Sequence, residues 1–165
     1  MTAIPAAIPA TASRLVAARP ARTRDAHRIV ELIGAWAHRS LTLSRTLDDV
    51  LASLDDFRVA GREDGVIACG ALHTIAPGLG EVRSVAVDRA VLGSGAGRTV
   101  VQSLLDLARD RGQLRVALLS KTPEFFARLG FATVDPGDLP EAYLRRSILA
   151  AGRSFTGRSA MMIDL

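Results

Sequence analysis

The stretch at residues 80–111 reads GEVRSVAVDRAVLGSGAGRTVVQSLLDLARDR and combines two apolar segments with three closely spaced glycines between them. Its first eight residues form an apolar, β-branched run with polar exceptions, which is typical of a buried strand. From Val100 onward, apolar residues recur at the three-to-four spacing of one helix face. Gly93, Gly95 and Gly97 lie between these two segments. The stretch therefore predicts a strand, a glycine-rich turn and a helix, in that order.

A turn of this composition removes side chains where the backbone enters the helix. The N–H groups of the first helical turn, with the positive end of the helix dipole behind them, can then bind a pyrophosphate. A Rossmann dinucleotide site fits poorly, because the turn reads GSGAG rather than GxGxxG. The acidic residue expected about twenty positions on is also replaced by a basic run around Arg111 and Arg115. A tight turn without a ligand is the remaining alternative.

Length and composition indicate one globular domain. With 165 residues, the chain is too short for two ordinary domains. Residues 1–13 are rich in Ala, Pro and Thr and carry no charge, so we expect a disordered tail before a single domain at residues 14–165. No apolar run approaches the ~20 residues of a membrane helix. The single cysteine, Cys69, excludes an internal disulfide and a multi-cysteine metal site, so we predict a cytoplasmic protein without a metal.

The net charge of +4 comes almost wholly from arginine, since Lys121 is the only lysine. Nucleic-acid binding is disfavoured, because the arginines are scattered and only 4% of the residues are aromatic. A modest positive field instead favours anionic small molecules.

Hydrophobic periodicity and turn residues divide the remaining chain into short elements. The other predicted strands are Leu15–Ala18, Phe57–Gly61, Val66–Leu72, Leu114–Leu119, Phe131–Val134 and Ala160–Asp164. The other predicted helices are Arg24–Arg39 with Thr23 as its cap, a helix after Thr46 with Asp49 completing a capping box, Pro123–Leu129 and Glu141–Leu149. This order predicts an α/β/α sandwich whose mixed, mostly antiparallel sheet is flanked by helices.

The turn LGSGAG at residues 92–97 resembles the coenzyme A loop of the GNAT acetyltransferases, which is written R/Q-x-x-G-x-G/A. Gly95 and Gly97 fall on its two small positions, whereas Leu92 stands where the family usually has Arg or Gln. The resemblance implies a GNAT-type fold and an acetyl-CoA-dependent N-acetyltransferase. Its backbone cradle for the pyrophosphate does not depend on the side chain at position 92.

Within that family, the chain is most similar to the stand-alone N-acetylglutamate synthases. The likeness covers roughly residues 14–165 and is carried by CGALH (69–73), GEVRSVAV (80–87), FFARLGF (125–131), LPE (139–141) and the terminal AMMIDL (160–165). It implies acetylation of the α-amine of L-glutamate, the first step of arginine biosynthesis. Acetylation of another small amine, amino acid or protein terminus is the alternative within the enzyme class, and a non-catalytic acyl-CoA sensor is the alternative outside it. A homodimer also stays open.

The family likeness implies where coenzyme A binds. It implies that a backbone amide of the central strand, in the region Ser84 to Val87, polarises the thioester carbonyl. The implied coenzyme-binding residues are Val85, Ala86, Val87, Leu92, Gly93, Ser94, Gly95, Ala96, Gly97, Arg98, Phe125 and Phe126.

Two residues are candidate bases for the acceptor amine. Glu81 opens the central strand, where family members often have a glutamate that takes a proton directly or through water. Its alternative role is an ion pair with Arg83, since both lie on one side of an ideal strand. His73 is the second candidate, because an unperturbed imidazole titrates near the working pH, and its alternative role is that of a hydrogen-bonded residue at a strand end. Because the only tyrosine, Tyr143, lies away from the implied thioester, we expect water to protonate the thiolate.

Arginine forks match carboxylates with paired hydrogen bonds. Arg45, in LSRTL, resembles the synthase arginine that holds the substrate, and Arg158-Ser159 resembles a second basic and hydroxyl pair. Lys121, Arg83 and Ser84 are further candidates for acceptor binding. Many stand-alone synthases have a cysteine cluster after the LP motif, whereas this chain reads LRRSILAAGRSFTGRS at residues 144–159. The sequence therefore predicts the reaction, acetyl transfer, more firmly than the identity of the acceptor.

Overall fold

One mixed sheet runs through the described part of the chain. The computed structural model describes residues 17–39, 41–62 and 65–165. The strands within these residues are β1 (Arg19–Pro20), β2 (Phe57–Arg62), β3 (Gly65–Ala76), β4 (Leu79–Val87), β5 (Arg115–Ser120), β6 (Ala132–Val134) and β7 (Ser159–Asp164). They lie in the order β1-β2-β3-β4-β5-β7-β6, and every neighbouring pair is antiparallel except β4 and β5, which are parallel. The predicted fold class is confirmed.

Helices cover both faces of this sheet. They are α1 (Ala26–Ala37), α2 (Leu47–Ala52), α3 (Ala96–Asp110), α4 (Pro123–Ala127) and α5 (Glu141–Tyr143), and a π-helical turn (Leu144–Leu149) follows α5 directly. Short 3-10 turns lie at Thr23–Asp25, Leu54–Asp56, Arg89–Val91 and Pro136–Asp138. None of the helices described here has the length and apolar character needed to cross a membrane.

The core is arranged in layers because adjacent strand residues point to opposite faces. Val82 and Leu118 pack with the apolar side of α3 on one face of the sheet. Val59 packs with α1 and α2 on the other face, and Ala117 packs with Tyr143 of α5 at the far end of that same face. Glu81 pairs in register with Ala117, so its side chain points to the face that α1, α2 and α5 share.

The two central strands separate part-way along their length. Parallel pairing of β4 with β5 covers three residue pairs and ends at Glu81 and Ala117. Beyond that point β4 is bent by a bulge, where Ser84 and Val85 stand opposite the single residue Gly70 of β3. Ser84 has a φ of 56°, the left-handed backbone that a non-glycine residue adopts only under local constraint. The divergence opens a cleft in the middle of the sheet.

The start of the described chain differs from the prediction. The first strand within the described residues is Arg19–Pro20, whereas the predicted strand was Leu15–Ala18. Residues 15 and 16 of that predicted strand lie outside the described residues. The predicted tail at 1–13, Ser40 and the turn residues 63–64 also lie outside them. Thr23 is the first residue of a 3-10 turn and does not cap the helix. Asp25 precedes the helix, and its side chain caps no helix N–H. Its carboxylate instead accepts the N–H of Arg22 at 2.8 Å, which closes the 3-10 turn, and binds the Arg19 guanidinium at 2.7 Å. That ion pair joins the strand to the helix start, a contact that apolar periodicity does not reveal.

The predicted helix Glu141–Leu149 also differs in kind. Only its first three residues are α-helical, and Leu144–Leu149 form a π-helix. Side chains in this turn bind elsewhere in the fold, since Arg146 donates to the carbonyl of Ile75 and the Ser147 hydroxyl contacts Arg153 at 2.7 Å. The π-helix therefore belongs to a segment that is tied to the sheet by its side chains.

The capping box of α2 provides a stability test. Thr46 Oγ1 accepts the N–H of Asp49 at 3.1 Å, and the Asp49 carboxylate accepts the N–H of Thr46 at 3.0 Å, as predicted. We expect Thr46→Ala to lower the free energy of unfolding by about 1 kcal/mol in urea denaturation, because a helix N–H loses its partner. Thr23→Ala is the control and should leave stability unchanged. Equal losses in both variants would contradict the cap assignment.

Candidate active site

A cleft of about 880 Å³ lies where β4 and β5 diverge. Five parts of the chain form its walls. They are Trp36 with residues 41–43 and 45, residues 82–87 of β4, residues 92–98, residues 118–122 with 125–126 and 128–129, and the C-terminal Arg146, Ser147, residues 151–154 and Arg158. All the predicted coenzyme-binding residues line this cleft, as do Arg45, Arg83, Ser84, Lys121 and Arg158. Glu81, His73 and Ser159 do not.

One end of the cleft is formed by the glycine turn and the start of α3. Gly93 and Gly95 have φ values of 82° and 86°, so both need the backbone freedom of glycine. A Cβ on Gly97 would lie 3.0 Å from the Val87 side chain and 3.3 Å from the Phe125 ring, so the turn is closely packed. The helix therefore starts at a wall without side chains, which suits a pyrophosphate at its N-terminus. Coenzyme A fits this end of the cleft.

Position 92 contributes no charge to that end. Leu92 lines the cleft with 57% of its surface exposed, where Arg or Gln was the family expectation. Arg98, in the first turn of α3, lines the cleft as an exposed cation. Backbone N–H groups and the Arg98 side chain can therefore bind an anion at this end of the cleft.

The opposite end of the cleft concentrates arginine. Arg45, Arg83 and Arg153 line it, and the Nε of Arg45 is buried without a hydrogen-bond partner among the described residues. Burial lowers the pKa of Arg83, and the nearby positive charge of Arg45 lowers it further, whereas Glu81 opposes both effects. Guanidinium groups held this close together favour an anion between them.

Glu81 is the buried counter-charge of this cluster. Its side chain has no exposed surface, and Oε1 accepts hydrogen bonds from Arg153 and from the Tyr143 hydroxyl, the latter at 3.2 Å. The predicted ion pair with Arg83 is present at 4.0 Å, but Arg153 is the closer partner. Burial and the charge of Glu81 raise the pKa of Tyr143, which therefore donates as a neutral phenol. Because Glu81 does not line the cleft, an acceptor amine could reach it only through an intervening group.

His73 lies at the margin of the site. It stands opposite Glu81 in the β3–β4 register, and its Nδ1 is 3.8 Å from an Asp56 carboxylate oxygen. Burial and the neighbouring Arg83 lower its pKa below the ordinary value. The imidazole is thus neutral at pH 7 and outside the cleft.

We expect His73→Asn to leave kcat within about twofold of the value for the original protein. A substitution outside the site should change the activation free energy by no more than roughly 0.5 kcal/mol. Initial rates at saturating substrates measure this. A tenfold or larger fall in kcat would restore His73 as a base.

Sequence reasoning missed Arg153 and the serines beside it. The tripeptide Gly-Arg-Ser occurs twice, at residues 152–154 and 157–159, and only the second copy contains the predicted acceptor-binding pair Arg158-Ser159. The structure places Arg153, Ser154 and Arg158 on the cleft, whereas Ser159 lies in β7, paired with Ser120. The repetition itself was the signal that could have found the first copy.

A profile of the Acetyltransferase (GNAT) family matches residues 22–131, which include β4, the glycine turn and α3. The chain belongs to the GNAT family. As a GNAT acyltransferase it uses acetyl-CoA, and the closely packed glycine turn is where the cofactor's pyrophosphate fits. Cys69 lies outside the cleft, and burial raises the pKa of its thiol to about 12, so it does not serve as a nucleophile.

Relatives of this GNAT protein include amino-acid acetyltransferases. The amino-acid acetyltransferase of Mycobacterium tuberculosis is 41% identical over 120 residues, which are 71% of this chain and 68% of the relative. A solved M. tuberculosis protein in complex with CoA has a TM-score of 0.81 at 31% identity and is covered to 99%, with 91% of this chain aligned. N-acetylglutamate synthase from Neisseria gonorrhoeae, complexed with coenzyme A and N-acetyl-glutamate, has a TM-score of 0.81 at 26% identity over 93% of this chain. This chain covers 35% of that longer protein.

Proposed function

We propose that this GNAT enzyme acetylates the α-amine of L-glutamate to give N-acetylglutamate, in the cytoplasm and as the first step of arginine biosynthesis. The observation that carries the proposal is the group of three guanidiniums, Arg45, Arg83 and Arg153, on the same cleft as the glycine turn. One buried carboxylate, Glu81, faces this group. The cluster keeps an excess of positive charge, which suits an acceptor with two carboxylates.

The names of the relatives support the same substrate class. Amino-acid acetyltransferases and an N-acetylglutamate synthase are among the proteins that this chain resembles over most of its length. An amino acid differs from a polyamine in carrying a carboxylate, and a polyamine would be repelled by the arginine cluster. A polyamine acceptor is thus the less favoured alternative.

The chemistry needs an amine without its proton, a polarised carbonyl and a route for the leaving thiolate. Acetyl-CoA supplies the activated acetyl group when bound. In our proposal, β4 directs backbone N–H groups near the Ser84 bulge toward the thioester carbonyl, and the arginine cluster holds the acceptor carboxylates. Phe125 and Phe126 line the cleft where a tyrosine acid stands in other family members, so water protonates the thiolate.

An acceptor screen tests the proposal. The protein is mixed with acetyl-CoA and, in turn, each common amino acid, a set of polyamines and a short peptide, and thiol release is followed. We expect the highest kcat/KM with L-glutamate. Better turnover of a polyamine or peptide would overturn the substrate, and absence of turnover with every acceptor would favour the acyl-CoA sensor.

A further inference from the structure

Arg153 makes contacts that distinguish it from the other arginines of the cleft. Its side chain is 15% exposed, lines the cleft, and uses Nη1 to donate to both the Glu81 carboxylate and the Ser147 hydroxyl. Its Nε and Nη2 have no hydrogen-bond partner among the residues that the structure describes. A guanidinium carries N–H groups on all three nitrogens, so one edge of the fork is occupied and the other edge is left for a ligand.

The backbone that carries Arg153 is held at several points. Its own N–H donates to the carbonyl of Ile148 at 2.9 Å, and the N–H of Ala150 donates to Arg145 at 3.0 Å. The preceding π-helix is fixed to β3 by the bond from Arg146 to the Ile75 carbonyl. Single π-helical turns occur frequently at functional sites. The segment that carries the guanidinium is therefore fixed by hydrogen bonds to the rest of the fold.

Glu81 is committed to this arginine. Its Oε1 accepts from Arg153 and Tyr143, whereas its Oε2 has no hydrogen-bond partner among the described residues and lies 4.0 Å from Nη1 of Arg83. A general base must come within hydrogen-bond reach of the proton it removes, or reach it through one water. Glu81 has no exposed surface and does not line the cleft, whereas its partner Arg153 does, so a direct approach of the acceptor amine is excluded and a route through water is the one left to a basic role.

We propose that Arg153 binds a carboxylate of the acceptor through its free edge, and that Glu81 and Tyr143 are positioning residues that hold the guanidinium for this contact. The inference rests on the proposed function, since it requires an acceptor that carries a carboxylate. It assigns to the buried glutamate a role in acceptor affinity in place of proton removal.

The two roles of Glu81 predict different kinetics. If Glu81 positions Arg153, Glu81→Gln raises the KM for glutamate about tenfold or more and leaves kcat at saturation within about threefold. If Glu81 is the base, kcat falls steeply, the loss is partly relieved at high pH, and the KM for glutamate barely moves. The KM for acetyl-CoA is unchanged under both roles, which makes it an internal standard.

Variants of Arg153 test whether its guanidinium binds a carboxylate of the acceptor. Arg153→Lys keeps one charge beside Glu81 but loses the second edge of the fork, so the KM for glutamate should rise about tenfold, and Arg153→Gln should raise it further. Tyr143→Phe removes one donor to Glu81 and should raise it by a smaller factor. Arg145→Lys is the matched control, because Arg145 is exposed, pairs with Glu141 and lies outside the cleft.

The experiment measures kcat and KM for both substrates, binding of N-acetylglutamate by calorimetry, and the melting temperature of each variant. Weaker N-acetylglutamate binding in Arg153→Lys, with acetyl-CoA kinetics intact and the control unchanged, supports the inference. Unchanged glutamate KM and product affinity in Arg153→Lys overturn it, and this variant decides alone if Glu81→Gln does not fold. If the original protein prefers another carboxylate-bearing amino acid, glutamate falls as the substrate and the same variants are measured with that amino acid. If it accepts no acceptor with a carboxylate, both proposals fall.

Discussion

Replacing Gly97 by Asp should weaken acetyl-CoA binding at least about a hundredfold. The new Cβ would stand 3.0 Å from the Val87 side chain and 3.3 Å from the Phe125 ring, closer than ordinary packing allows. Overpacking of this kind costs roughly 1–3 kcal/mol, and the carboxylate adds a negative charge where the pyrophosphate meets the helix N-terminus. Titration calorimetry with acetyl-CoA measures the loss directly.

Two further variants separate the causes of that loss. Gly97→Ala adds the Cβ without the charge and should show a smaller loss of affinity. Gly34→Asp adds the same side chain on α1, where a Cβ meets nothing within 4 Å, and should bind acetyl-CoA normally. If Gly97→Asp folds and binds acetyl-CoA as tightly as the original protein, the cradle at the glycine turn is wrong.

Replacing Arg45 should damage acceptor use and spare the cofactor. Its Nε is buried without a partner among the described residues, so the side chain has a donor available for an acceptor carboxylate. Arg45→Lys keeps the charge but loses the paired geometry, and Arg45→Ala loses both. A hydrogen bond to a charged group contributes roughly 1.5–3 kcal/mol, so kcat/KM for glutamate should fall about tenfold to a hundredfold in Arg45→Ala.

The KM for acetyl-CoA serves as the internal control and should barely move. Arg109→Ala is the matched variant, because Arg109 pairs with Asp106 on the exposed side of α3 and lies outside the cleft. Unchanged glutamate kinetics in Arg45→Ala, in an enzyme that does acetylate glutamate, would return Arg45 to a structural role.

The fold was predictable where its signals are local. The strand, turn and helix at residues 80–111 follow from hydrophobic periodicity and from glycines that the backbone needs at positive φ. The capping box at Thr46 was readable for the same reason, because donor and acceptor lie three residues apart. Contacts that join distant parts of the chain were not readable, and the shift of β1 toward Asp25 is an example.

The site residues follow the same rule: those on one continuous segment were predictable, and those brought together from distant segments were not. The coenzyme end depends on one continuous turn, and every residue predicted for it lines the cleft. The acceptor end depends on side chains from separate elements, and Arg153 is 72 residues away from the Glu81 that it binds. The left-handed backbone of Ser84 also arises from strand pairing with β3, and no residue preference marks it in advance.

The early separation of β4 from β5 has a consequence for the kinetic mechanism. The cleft has walls from both faces of the sheet, with Val82 and Phe126 on the side of α3 and Arg83 and Arg153 on the other. Two molecules can therefore approach one reacting point from opposite directions, and neither has to leave before the other enters. Initial-rate plots at several fixed concentrations of the second substrate should intersect, as a ternary complex requires. Parallel lines would instead mean that an acetylated enzyme is formed and that the two substrates do not occupy the cleft together.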